Sequence, residues 1–246
     1  MSGGPPAAVS GAPDAPGASG APAAPAAWGP VWARQVGRAL SRGWWATEVV
    51  GAGRVPRTGP VILAANHTGV ADGPLLVGLS PRPLHILVKQ EMFRGPVGTV
   101  LRLAGQISVD RTNGRPALAT GLAVLRRGGA VGVFPEGTRG SGAVASARAG
   151  VAWLAVNAGA PVVPVAILGT RRTGESSGHV PPPRRRLLLE LGEPLDVGRR
   201  PGETSRDAVG RAAEEVRTAL AALVVAASER SGLPLPLDDP GARRAP

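Results

Sequence analysis

The sequence predicts an α/β domain: a mixed, largely parallel sheet flanked by helices, preceded by an N-terminal amphipathic helix. Three observations carry this. Short apolar runs alternate with stretches of helical periodicity, the pattern of strands joined by crossover helices. The chain has 246 residues and is 43% hydrophobic, which suits one domain with a core of its own. Low-complexity segments at both ends leave that core to residues 28–230.

The elements follow in order. Of residues 1–27, 21 are Gly, Ala or Pro and Asp14 is the only charge, so this stretch cannot offset its ordering entropy and reads as a disordered tail. It lacks the basic start and continuous apolar stretch of a secretory signal. Residues 28–45 read as a helix. Trp32, Val36, Leu40 and Trp44 recur every four residues along one side, and Arg34, Arg38 and Arg42 recur along another. Such a helix either packs on the domain or lies in a membrane interface, with Trp at headgroup depth and Arg toward lipid phosphate. The two are compatible if only part of the apolar face is buried.

Strands are predicted at residues 61–65, 85–88, 107–109, 131–134, 162–167 and 187–191. Helices are predicted near 73–79, 91–103, 115–127, 147–157 and 205–228. Residues 149–170 carry no charge, a length able to span a bilayer. Gly159 and Pro161 break that stretch, and the β-branched run after them reads as a strand. The expectation is therefore helix, turn and buried strand, with no transmembrane span. Residues 231–246 hold four prolines and read as a second tail.

Composition narrows the chemistry. With no Cys there is no disulfide framework, no thiolate nucleophile and no iron–sulfur cluster, and three His are too few for a His-rich metal cage. A metal site built on Cys or on several His is therefore not expected. Lys plus Arg total 28 against 17 Asp plus Glu, a net charge of +11. That balance points to an anionic partner: nucleic acid, an acidic membrane surface or a phosphate-bearing substrate.

The candidate functional residues sit just past strand ends. His67 and Asp72 follow the run 61–65. On an ideal helix their five-residue offset is about 140° from a shared face, so they meet only if the backbone turns at Thr68-Gly69. The pair suits a general base oriented by a carboxylate. The run 131–134 ends in Pro135-Glu136-Gly137-Thr138-Arg139, whose guanidinium fork and turn N–H groups suit phosphate. The strand 107–109 delivers Arg111, and Lys89, the only lysine, follows the strand 85–88. If these strands run parallel, all of these groups share one rim, where open α/β sheets bind ligands.

These blocks resemble those of the glycerolipid acyltransferase family, the type that includes 1-acylglycerol-3-phosphate acyltransferases. The matching residues are Asn66-His67-Thr68-Gly69-Val70-Ala71-Asp72, Gly105-Gln106-Ile107-Ser108-Val109-Asp110-Arg111, Phe134 to Arg139, and Val163-Pro164-Val165-Ala166. The second block departs from the family in Ser108, where a large apolar residue is common. The resemblance implies an acyltransferase domain over residues 28–230. In it His67 is the general base on the acceptor hydroxyl and Asp72 orients it. Lys89, Arg111, Glu136, Gly137, Thr138 and Arg139 would hold the acceptor's phosphate, and Pro164 would shape the acyl-donor side. The co-substrate would be acyl-CoA or acyl carrier protein, and the resemblance implies a reaction that needs no metal and no cofactor. The partners would be a lysophospholipid, the acyl thioester and an anionic membrane surface, on the cytoplasmic face as a peripheral protein.

Other readings compete. Gly174-Glu175-Ser176-Ser177-Gly178 matches the nucleophile pattern of serine hydrolases, but the prolines 181–183 forbid the helix that motif requires. Arg184, Arg185 and Arg186 form a basic cluster, yet there is no zinc-finger spacing and no aromatic RNA-binding strand, so nucleic acid is not an expected partner. A basic nucleic-acid-binding protein, a non-catalytic membrane-docked module and a different lysolipid acceptor are the alternatives.

Overall fold

A computed structural model of the chain describes residues 24–110, 112–137, 139–144 and 149–238. Its strands are β1 (Ala46–Val50), β2 (Val61–Ala65), β3 (Leu84–Lys89), β4 (Ile107–Val109), β5 (Ala130–Val133), β6 (Val162–Leu168) and β7 (Arg186–Leu191). Its α-helices are α1 (Trp28–Gly43), α2 (Asp72–Leu79), α3 (Gly95–Leu103), α4 (Arg115–Arg126), α5 (Gly150–Ala158) and α6 (Ser205–Ser231). The strands form one sheet in the order β1-β7-β6-β2-β5-β3-β4. Every neighbouring pair is parallel except β6 with β7. The sheet is thus mixed and largely parallel, as the alternation of apolar runs and helical patterns predicts.

The central strands are apolar at every position because both faces are covered. In β2, Ile62 and Ala64 face a cluster with α4, α5 and α6, while Val61, Leu63 and Ala65 face one built on α2. Fully buried side chains such as Ile62, Leu63, Leu75 and Ile167 each contribute roughly 1.5–3 kcal/mol. Since β2 to β6 run the same way, their carboxyl ends open on one edge of the sheet.

Several expectations change. Strand β1 escaped the sequence pattern. It is an edge strand only partly buried on both sides, with Thr47 and Glu48 interrupting any apolar alternation. The helix expected over 91–103 is two pieces, a 3-10 turn at Gln90–Phe93 and then α3. Pro96 cannot sit inside a continuous helix, and Gly95 supplies a φ of 58° at the break. At the amino end, Ala24, assigned to a disordered tail, packs on the core, and Pro25 accepts a bond from Arg127. At the carboxyl end, α6 runs through Ser231, and Leu233 and Leu235 pack on the cluster between α6 and β6. The described part of that predicted tail is therefore folded, because its leucines find an apolar surface.

Helix α1 holds the domain with its small residues rather than its apolar stripe. Gly29, Pro30, Ala33, Gly37 and Ser41 are buried, while Val36, Leu40 and Trp44 are each at least half exposed. At the crossing with α2, a Cβ on Gly78 would lie 2.3 Å from the carbonyl carbon of Gly37, and one on Gly37 would lie 2.8 Å from the Gly78 Cα. The two backbones touch. We expect Gly78→Ala to lower stability by about 1–3 kcal/mol, while Leu40→Ala stays within about 0.5 kcal/mol of the parent. Urea unfolding midpoints test this, and a Gly78→Ala protein as stable as the parent would contradict the close crossing.

Candidate active site

The site begins where β2 ends. Asn66 is fully buried and extends the sheet with its side chain: its amide nitrogen donates to the Ile167 carbonyl at 3.1 Å, and its amide oxygen accepts the Ile167 N–H at 2.7 Å. This double bond to β6 fixes the chain immediately before His67.

His67 is then held on four sides. Its backbone N–H donates to Glu136 Oε1 at 3.0 Å, and its carbonyl accepts the Gly140 N–H at 3.0 Å. Its ring stacks on Phe134, with centroids 4.1 Å apart and planes 19° from parallel. Its Nδ1 lies 2.8 Å from Asp72 Oδ2. The backbone does turn between the two residues: Thr68 and Gly69 direct their N–H groups at the same carboxylate oxygen, at 2.7 and 2.8 Å. Asp72 is the first residue of α2, where a carboxylate also meets the positive end of the helix.

The other oxygen of Asp72 accepts the Thr170 hydroxyl at 2.6 Å, and Thr68 Oγ1 lies 2.9 Å from that same hydroxyl. Thr170 gives its proton to the carboxylate, so Thr68 must donate to Thr170. Asp72 is fully buried and surrounded by donors, so it acts as an acceptor toward His67 as well. In the neutral ring Nδ1 therefore carries the hydrogen, which leaves the lone pair on Nε2. The His67 side chain retains 13% exposure, so that lone pair can meet a substrate. A ring fixed in tautomer, stacked and oriented by a buried carboxylate is the arrangement of a general base.

The other predicted residues fall as follows. Glu136, expected at the acceptor's phosphate, accepts the His67 backbone N–H and so braces the dyad. Gly137 has a φ of 66° and closes the turn with a bond to the Phe134 carbonyl, so a side chain there would be strained. Arg139 is half-buried, and its Nε is buried with no acceptor among the described residues. Burial pushes its pKa down, and the Asp72 carboxylate partly counters this. A desolvated guanidinium beside the dyad is suited to an incoming anion. Lys89 ends β3; since Ala64 is level with Val133 and Ile86 with Gly132, Lys89 stands at the height of Asn66, two strands away. At about 4.8 Å per strand, that is roughly 10 Å. Arg111 and Thr138 lie outside the described residues; β4, which precedes Arg111, ends on the same rim.

Pro164 does not reach the rim. It is buried within β6 opposite Ala64, its carbonyl accepts the Gly192 N–H, and a Cβ added to Gly192 would meet its ring and Leu223 of α6. A role in shaping the acyl-donor side finds no contact with the dyad there. The contact from β6 to the dyad comes instead from Thr170, just beyond its end. Sequence reasoning missed Thr170 because a threonine in a Gly-rich connection carries no pattern; its place after a strand on the common rim was the available signal.

Comparison with known proteins agrees with this geometry. The profile of the acyltransferase family matches residues 46–168. The 1-acyl-sn-glycerol-3-phosphate acyltransferase of Bacillus subtilis is 34% identical over 144 residues, covering 57% of this chain and 69% of that protein. The chain belongs to the acyltransferase family. It is an acyltransferase whose other curated relatives are longer than their matched portions. The protein of the same name from Borreliella burgdorferi is 32% identical over 127 residues, 50% of this chain and 51% of that one. Human 1-acyl-sn-glycerol-3-phosphate acyltransferase beta is 31% identical over 48% of this chain and 45% of its own. The chain thus spans about half the length of these last two. The crystal structure of the 1-acyl-sn-glycerophosphate (LPA) acyltransferase from Thermotoga maritima shares the fold, with a TM-score of 0.60, 23% identity and 79% of each chain covered. In this acyltransferase Ser108 lies exposed on edge strand β4, in a cleft of about 650 Å³ with Phe93, Arg94 and Arg102.

The second hydroxyl in the Asp72 network yields a test. Thr170→Val keeps the shape and removes the donor, and a hydrogen bond to a charged group is worth about 1.5–3 kcal/mol. We expect acyl transfer to slow by about tenfold or more, with Thr170→Ser largely retained. A Thr170→Val enzyme with the parent's turnover would remove this hydroxyl from the working site.

Proposed function

We propose that the enzyme transfers a fatty acyl group from an acyl thioester, acyl-CoA or acyl carrier protein, to the free hydroxyl of 1-acylglycerol-3-phosphate, giving phosphatidate. The observation that carries this reading is the His67–Asp72 pair, with the His67 side chain partly exposed and the half-buried Arg139 beside it. The names of the curated relatives support the choice of acceptor.

The chemistry follows from the geometry. Nε2 of His67 takes the proton of the acceptor hydroxyl as its oxygen attacks the thioester carbonyl. Asp72 stabilises the imidazolium that forms, and the stacked Phe134 ring keeps the imidazole in place. The C–S bond breaks, and the thiol leaves with the proton that His67 carried. A thioester is already activated, so a base and positioning suffice, with no covalent acyl-enzyme and no metal or cofactor. Arg139, with Lys89 and Arg111 from the neighbouring strand ends, holds the acceptor's phosphate.

The acceptor is a lipid, and α1 is fitted to meet one. Its small-residue face is used on α2, which leaves Trp28, Val31, Val36, Leu40 and Trp44 exposed. Val97, Val100 and Leu103 of α3 are exposed nearby, where Trp32 bonds the Leu103 carbonyl. We read this as a surface that rests on an anionic membrane at the cytoplasmic face. Among the described residues no helix is long and apolar enough to cross a membrane. Nucleic acid is a weaker fit, because many arginines are already engaged in ion pairs: Arg185 with Glu175, Arg211 with Glu203, Arg217 with Glu214.

Purified enzyme given acyl-CoA and lysophosphatidate should release CoA, and His67→Ala should slow release by about a hundredfold or more. An unchanged rate in that variant would overturn the mechanism, and equal rates on a phosphate-free monoacylglycerol would overturn the acceptor assignment. Flotation with anionic vesicles should fall severalfold in a Val36→Glu, Leu40→Glu protein. Undiminished flotation would free α1 of its assigned role.

A further inference from the structure

We propose that Asp238 and Arg171 are positioning residues: the segment 232–238 is a strap that holds the Arg139-bearing loop in the active site. The proposal rests on the reading that Arg139 binds the acceptor's phosphate.

Arg171 directly follows the Thr170 that supports Asp72, and its side chain is wholly buried. Its guanidinium joins three pieces of chain. Nη1 donates to Asp238 Oδ1 at 2.9 Å and to the Glu175 carbonyl at 3.1 Å; Nη2 donates to the Asp238 carbonyl at 2.6 Å and to the Gly140 carbonyl at 3.3 Å. Gly140 is the residue after Arg139, and its own N–H is bonded to the His67 carbonyl. Gly140 is thus gripped at its N–H by the His67 carbonyl and at its C=O by Arg171, which the strap holds in turn.

Apolar packing repeats the same connection. A Cβ on Gly142 would lie 2.5 Å from Thr68 Cγ2 on one side and 3.4 Å from Leu235 Cδ2 on the other, so the loop runs between the His67 segment and the strap. Val144 is fully buried in the cluster that Leu233 and Leu235 cover, and its φ is 54°, a conformation that a β-branched residue rarely adopts. Such strain persists only where surrounding contacts dictate the backbone. Leu237 adds a bond from its N–H to the Thr173 hydroxyl. A buried guanidinium needs a counter-charge, and Asp238 supplies it, so loosening Asp238 loosens Arg171 and the Gly140 carbonyl with it.

The test uses the full chain. Asp238→Asn should raise KM for the phosphate-bearing acceptor about tenfold, with KM for the acyl donor unchanged. Tryptic cleavage after Arg139, mapped by mass spectrometry against cleavage after exposed Arg57, should rise at least tenfold. Combining Asp238→Asn with Arg139→Ala should raise acceptor KM no further than Arg139→Ala alone. Leu235→Ala carries the same expectations should Asp238→Asn fail to fold. If Arg139→Ala leaves acceptor KM unchanged, the phosphate reading fails, and faster cleavage in Asp238→Asn still supports the strap's hold on the loop. If Arg139→Ala raises KM but Asp238→Asn alters neither KM nor cleavage, the strap is overturned. An equal rise in both KM values, with cleavage raised throughout the chain, shows general loosening and also overturns it.

Discussion

The buried carboxylate of Asp72 is the constraint around which the site is arranged. A charge without solvent must be met by donors, and four converge from two parts of the chain: the His67 ring with the Thr68 and Gly69 amides, and the Thr170 hydroxyl. To supply them, β2 must end at Ala65, the chain must turn sharply after His67, α2 must start at Asp72 and β6 must run on past its last pairing with β2, to Leu168. Losing any donor leaves a charge partly unmet, so the network holds together or fails as a unit. The same requirement sets the tautomer of His67. Burial of the acid and availability of the base are two consequences of one arrangement.

Around this centre the helices divide their labour by side-chain size. Helix α2 begins with Asp72 and later crosses α1 at Gly78, where the backbones of Gly37 and Gly78 meet without side chains between them. Helix α1 therefore sits close against the helix that carries the acid, while Trp28, Val31, Val36 and Leu40 remain exposed. A helix that used Trp32, Val36, Leu40 and Trp44 to pack on the domain would have nothing left for a lipid surface. Small residues on the inner face are what permit both contacts at once.

Much of this was legible in the sequence, for physical reasons. Strands buried on both faces are continuous apolar runs, so β2 and the start of β6 were placed at their observed first residues, and the residues after them pointed to the rim. His67, Asp72 and Arg139 stood out because polar and charged groups directly after such runs are rare in a packed core. What stayed hidden depends on contacts distant in sequence. Glu136 reads as a phosphate contact in its motif and proves to hold the His67 amide, 69 residues away. Thr170 bonds Asp72 across 98 residues. Strand β1 is set by pairing with β7, and the prolines after Gly232 suggested a tail because composition cannot show that Leu233 and Leu235 have a surface to cover.

The cationic surplus also resolves into unlike parts. Arg82 donates to three backbone carbonyls and secures the turn at Gly59 and Gly128. Arg185 forks onto Glu175 and holds that carboxyl down to about 2, a pair that pins the connection between β6 and β7. Arg171 spends its terminal nitrogens on Asp238, Glu175 and Gly140. Arg171 leaves only its Nε without an acceptor; Arg139, half-buried beside Asp72, also has a buried Nε with none, and no acidic side chain among the described residues pairs with it. Desolvating a donor without a partner is unfavourable, and proteins retain such groups where a ligand completes them. A net charge of +11 is therefore a poor guide to the partner, since most structural arginines are already satisfied. The informative cation is Arg139, which the fold half-buries, pairs with no acidic side chain among the described residues and places within the electrostatic reach of Asp72.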